Sequence, residues 1–211
     1  RIWDIKLNEA TDMLFDILAL ISLLIVIMLL RRLVNIYPSL MACLIRWKES
    51  INLEASVKLS RDRDMLAVAM IIPFCLSITR FGVYSPGFIE NLNENARLGA
   101  IIGIFTAYIL LRMATSYVFR PHKMNSKIYS TAEKAANTFF IVLSLILLTA
   151  GGVLSFVGTD TEVIKTAMIW ISALTYALFL LRKTQIFSSS CNFFSAFLYL
   201  CALEIIPTGI L

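Results

Sequence analysis

Histidine is almost absent from this chain. His122 stands alone among 211 residues, which excludes haem ligation by a histidine pair and a histidine-rich metal site. The four cysteines, Cys43, Cys75, Cys191 and Cys201, form no CxxC pair and all lie in apolar stretches. A free thiol behaves there as a small hydrophobe, so packing is its expected role. Charge is scarce as well, at 16% of positions against about 25% in a soluble domain. The sequence has no GxSxG, no Walker loop, no HExxH and no Asp-rich lipid-phosphate motif. Internal repeats and low-complexity tracts are missing too, which weighs against an inverted-repeat transporter. No catalytic residue, cofactor or metal is therefore expected.

What the chain does contain is apolar sequence in long runs. Hydrophobic residues make up 59% of it and the mean hydropathy is +0.81, beyond the roughly 45–50% apolar content of soluble domains. A bilayer core of about 30 Å takes roughly 20 helical residues. Six stretches meet that length: 13–30, 65–84, 98–119, 138–157, 164–181 and 192–211. The second needs comment. Stopping before Arg80 would leave 15 residues, about 22 Å and too short to cross, so the span extends through Arg80 to Tyr84. The fold class expected is all-α: a polytopic transmembrane helix bundle forming one domain over 1–211.

Net charge is +5, but the basic residues are distributed in a way that reads as topology rather than as a nucleic-acid surface. Segments 31–64, 120–137 and 182–191 hold thirteen Lys or Arg, while the opposite set holds four: Arg1, Lys6, Arg97 and Lys165. The positive-inside rule places the first set in the cytoplasm and both termini outside. The expected contacts are membrane lipids and partner proteins of a membrane complex. The first apolar run is too long for a signal peptide and lacks a small-residue cleavage pattern after it. Because the sequence begins at Arg1 rather than Met, a span upstream of it stays open.

Segment 38–60 is not plain loop. Tyr37-Pro38 suits a helix start, and Leu40, Leu44, Trp47 and Ile51 recur at helical spacing among Arg46, Lys48 and Glu49. Two arrangements fit this pattern: an amphipathic helix along the inner surface, or an extension of the first span packed on its neighbours.

Four ionisable residues fall inside the proposed spans: Asp16, Arg80, Arg112 and Glu204. Each costs about 2.5–3.5 kcal/mol near a helix centre, which marks such groups for attention. Asp16, at the outer end of the first span, suits a helix dipole. The other three lean toward the midplane, because helical side chains tilt toward the N-terminus of their helix. Mutual pairing of Arg80 or Arg112 with Glu204 is the simplest outcome; a proton, ion or anionic-ligand site is the alternative. Arg112 shares a face with Tyr108, Thr115 and Ser116, and Gly99 and Gly103 form a GxxxG on roughly the opposite face. That makes the third span the expected central helix. Gly151-Gly152 in the fourth reads likewise as helix packing. Pro207, three residues after Glu204, and Pro73, seven before Arg80, are expected kinks. Ser188-Ser189-Ser190 reads as a cap for the sixth span.

The sixth span, Phe194–Pro207 (FSAFLYLCALEIIP), preceded by Arg182-Lys183-Thr184, resembles an uncharacterised family of Bacteroidota inner-membrane proteins, known as a domain of unknown function. The resemblance is specific over about 25 residues and implies a multi-pass inner-membrane protein whose family motif includes Glu204. It implies no activity.

Three functions are weighed. The first is a non-catalytic accessory or assembly component of a membrane complex. The second is a small transporter or channel using Arg80, Arg112 and Glu204. The third, a lipid-modifying enzyme, rests only on Arg120, Lys123 and Lys127, which serve topology and anionic-lipid contact more often.

Overall fold

The structure, a computed structural model, describes residues 2–84, 86, 94–118, 126–189, 200, 201 and 204. Seven helices and no strands occur among them: α1 (Ile2–Ile45), α2 (Trp47–Ala55), α3 (Val57–Ala69), α4 (Ile71–Arg80), α5 (Glu94–Val118), α6 (Ser126–Phe156) and α7 (Thr161–Ser188). Four stretches are long and apolar enough to cross a membrane: Asp16–Ile45, Asn95–Val118, Ile128–Phe156 and Thr161–Ser188. The all-α architecture and these helices fit an integral membrane protein. Of the 192–211 stretch, only Leu200, Cys201 and Glu204 are described.

Helix α1 does not stop at Arg31-Arg32. Its 44 residues reach about 66 Å, roughly twice a bilayer core. The part from Ile17 to Leu30 exposes apolar side chains such as Leu20, Leu24 and Met28. Beyond the two arginines a different face becomes apolar. Ile36, Leu40 and Cys43, spaced four and three apart, are buried against Leu53, Leu66, Ala67, Ile141 and Val142. Pro38 lies inside this helix rather than at a helix start. It denies Val34 its usual donor, and burial of the flanking Ile36 and Leu40 carries the helix past it. Segment 38–60 is thus the end of α1, then α2, then the start of α3, folded back on the bundle.

The stretch expected as a second span is kinked. Helix α3 passes into the ten-residue α4 through Met70, which keeps right-handed helical backbone, with Met70 N–H bonded to Leu66 O and Phe74 N–H to Met70 O. Pro73 explains the position of the kink. It has no N–H to offer the carbonyl of Ala69, four residues earlier. Helix α4 is enclosed, with Pro73 through Ser77 and Thr79 buried.

Among the described elements α6 packs most extensively. It touches α1, α2, α3, α4 and α7, whereas α5 packs mainly on α4 and α1. The glycines give the physical reason. A Cβ added at Gly99 or Gly103 of α5 meets nothing within 4 Å, and the same holds for Gly152. Those glycines permit close approach, but no described neighbour uses it. Gly151 differs: a Cβ there would lie 2.6 Å from Met168 Cε and 2.8 Å from the Phe81 ring. Among the described residues, one glycine of the four lets helices meet.

Two turns fix the ends of this core. Gly82 and Gly158 have φ of +59° and +77°, which favours glycine. Each closes a Schellman motif, through Gly82 N–H to Thr79 O and Val83 N–H to Ile78 O, and through Gly158 N–H to Ser155 O and Thr159 N–H to Leu154 O. The second motif turns α6 directly into α7, so the two run antiparallel and pack along much of their length. Near the Gly158 end, Leu147, Ile164 and Met168 pack with Phe74, Leu98 and Ile101. Near the other, Tyr129, Ala132 and Ala135 pack against Ile186 and Phe187.

A candidate functional site of alternating buried charges

The α6–α7 pairing brings the N-terminal turns of α6 beside the C-terminal turns of α7. Glu133 and Lys183 meet there, with Lys183 Nζ donating to Glu133 Oε1 at 2.8 Å. Glu204 completes the site. Its Oε1 accepts from Lys183 Nζ and from Arg112 Nε of α5 at 3.1 Å, with Arg112 NH2 at 2.9 Å. Arg112 NH2 also lies 4.0 Å from Glu133 Oε2. The four groups form a closed ring of alternating sign: Arg112, Glu204, Lys183, Glu133 and back to Arg112.

Two cations and two carboxylates leave the ring with no formal net charge, and that balance decides its energetics. An isolated ion in a low-dielectric interior suffers a desolvation penalty of several kcal/mol, and only close, well-bonded counter-ions offset it. Lys183 and Glu204 are the deepest, with side chains 0% and 1% exposed, while Arg112 and Glu133 retain 18% and 20%. Aromatic faces complete the surroundings. The Phe179 ring centroid lies 5.7 Å from the Arg112 guanidinium and 5.8 Å from the Lys183 ammonium, and Phe187 lies 5.7 Å from the latter. Such contacts attract a cation to the negative face of a ring. Phe179, Lys183 and Phe187 recur every four residues on one face of α7. Tyr176, on the same face, donates its hydroxyl to Glu204 O at 3.3 Å. A turn beyond Arg112, Ser116 bonds Tyr129 of α6, ring hydroxyl to main-chain carbonyl at 2.6 Å.

The ring lies toward the basic segments of the chain: Arg112 is about 9 Å from Val118, the last described residue of α5, Glu133 about 10 Å from Ser126, the first described residue of α6, and Lys183 about 8 Å from the Ser188 end of α7. A second charged cluster occupies the same, basic end. Arg63 of α3, 2% exposed, bonds Glu54 at 2.9 Å and Asp64 at 2.9 and 3.0 Å. From α6, Lys134 donates to Glu54 and Asn137 to Asp64. Burial pushes the Glu54 carboxyl up, but the bonds and charges of Lys134, Arg63 and Ser60 outweigh it and hold the group below its ordinary value. Successive residues Glu133 and Lys134 therefore serve two clusters on different faces of α6.

The sequence-derived set is divided by this geometry. Arg112 and Glu204 are together. Arg80 is exposed at the end of α4 and joins neither. Its expected pairing with Glu204 is not made, since Arg112 and Lys183 hold that carboxylate. Asp16 is exposed and lies well inside α1, not in its first turn. Ser188 ends α7, while His122, Arg120, Lys123, Cys191 and Pro207 lie outside the described residues.

Glu133 and Lys183 escape a reading of the sequence by charge, because each falls in a basic segment between apolar runs. The available signal is their company: Lys183 continues the Tyr176–Phe179 face of α7, and Glu133 follows Tyr129 by one helical turn. Among the described residues no group of His, Cys, Asp and Glu could hold a metal ion. The family described as a domain of unknown function (DUF4271) matches over residues 16–211. No curated protein and no solved structure matches the chain.

Proposed function

The chain belongs to the DUF4271 family, and we propose that it is a non-catalytic accessory or assembly component of a membrane complex. On this proposal it is a multi-pass protein of a bacterial inner membrane, from the Bacteroidota. It crosses about six times, with the kinked 65–84 segment and the 192–211 stretch as spans, and with both ends of 1–211 outside. The observation that carries the proposal is the closed charge ring. Its four members satisfy one another in sign and sit against aromatic faces, and the ring ties α5, α6 and α7 to Glu204. Buried charges of this kind serve as helix-to-helix locks when paired.

The exposed apolar length of α1, from Ile17 to Val34, gives such a protein a long surface to present to lipid or to another membrane helix. Co-purification tests this. A tagged chain extracted in mild detergent, with photocrosslinkers at Ile21, Leu24 and Met28, should retain a defined partner at fixed stoichiometry. A monodisperse lone monomer without crosslinked partner contradicts the proposal.

A further inference from the structure

A groove of about 980 Å³ runs between the start of α2 and the last turns of α7. We propose that it binds one anionic phospholipid of the leaflet at the basic end, acyl chain along α7 and phosphate at Arg182. Its size is at the upper end of small-molecule sites, about 300–1,000 Å³.

The lining changes character along its length. Ala177, Leu180, Leu181 and Leu200 make the floor apolar. From Arg182 onward the wall turns polar, through Thr184, Gln185 and Ser188, with Trp47 opposite. The apolar floor continues outward along exposed Leu174 and Leu178, the direction an acyl chain follows into the bilayer. A tryptophan at the level where apolar wall gives way to polar wall is the usual mark of the membrane–water interface.

Charge selects the headgroup. Among the described residues lining the groove there is no Asp or Glu, and there is Arg182. Arg182 is held at the mouth by its Nε, which donates to Leu44 O at 2.8 Å, and by NH1, which donates to Gln185 Oε1 at 2.7 Å. Those two bonds leave NH2 uncommitted and turn Gln185 into an amide donor through Nε2. Flanking Trp47, Arg46 and Lys48 are exposed, with Lys48 Nζ 5.8 Å from the Trp47 ring. The nearby acid Glu49 accepts from Asn52 at 3.2 Å. Thr184 and Ser189 spend their hydroxyl protons on main-chain carbonyls of α7, so recognition of a phosphate falls to the cationic groups. Basic pockets at the cytoplasmic ends of membrane helices bind acidic headgroups for this reason.

The test uses the intact chain in vesicles of phosphatidylglycerol and phosphatidylethanolamine, followed by native mass spectrometry from mild detergent. Wild type should retain phosphatidylglycerol over phosphatidylethanolamine by about five-fold, the worth of one interfacial basic residue. Arg182→Gln should bring that ratio close to one, Arg182→Lys should keep most of it, and Ala177→Trp, which fills the floor, should remove both adducts. Circular dichroism confirms that each variant is folded. Should Arg182→Gln not fold, Arg182→Lys and Ala177→Trp against wild type still decide between a lipid site and none. Equal retention of the two lipids, a preference untouched by Arg182→Gln and Ala177→Trp, or a protein or second copy seated in the groove each overturn the proposal.

Discussion

Replacing Lys183 by Met removes one cation from a ring of two and two. The side chain is 0% exposed, so water cannot screen what remains. Glu133 and Glu204 then share Arg112 alone, and the site carries a net negative charge. Breaking a buried pair by removing one partner costs about 3–5 kcal/mol. That is a sizeable part of the roughly 5–15 kcal/mol that holds a typical domain together, and at roughly 2–4 °C per kcal/mol for this chain length the Tm should fall by about 6–20 °C. Glu204→Gln should act similarly with the opposite charge left over.

The decisive comparison is the double variant, Lys183→Met with Glu204→Gln. It leaves Arg112 and Glu133 as a neutral pair, already 4.0 Å apart. Its loss should be smaller than the sum of the single losses by about 2 kcal/mol, within the range of coupling for residues in one network. Thermal unfolding or steric trapping in one detergent measures all four proteins. Single losses under about 1 kcal/mol, or additivity within about 0.5 kcal/mol, would refute a coupled ring.

Other expectations are narrower. Gly151→Ala should destabilise by about 1–3 kcal/mol through overpacking against Met168 and Phe81, whereas Gly99→Ala and Gly103→Ala, with open space around them, should be neutral or slightly stabilising by helix propensity; Tm values of the three decide. Glu54 contributes stability above its ordinary carboxylate value of 4.5, lost as pH falls through its lowered folded value. Tm should therefore decline on acidification from about 4.5 down to that lowered value, and Glu54→Gln should flatten the decline. Arg80→Gln, at an exposed position, should change stability by less than about 0.5 kcal/mol, as a urea titration can show.

Hydropathy makes the class of protein legible, and Arg112 with Glu204 can be picked out as charges inside apolar runs that need a polar partner. Helix ends cannot be read in this way. Arg31-Arg32 looks like a stop because charge ends a run of hydropathy, yet burial of Ile36, Leu40 and Cys43 extends α1 to Ile45. The same effect hides half the ring. Lys183 and Glu133 look like loop residues on charge alone, although α7 runs to Ser188 and α6 begins at Ser126. GxxxG misleads differently: spacing marks where helices can approach, but the topology that decides whether they do is a long-range property. Among the described residues, Gly151, opposite Met168, is the one glycine of the four in close approach.

Proteoliposome flux, measured beside unfolding stability for wild type and Glu204→Gln, separates a structural lock from a transport site. A ring that only holds helices together predicts proton and ion flux equal to empty liposomes for both proteins, with Glu204→Gln merely less stable. Flux in the wild type that Glu204→Gln abolishes, while fold and Tm stay unchanged, would contradict it.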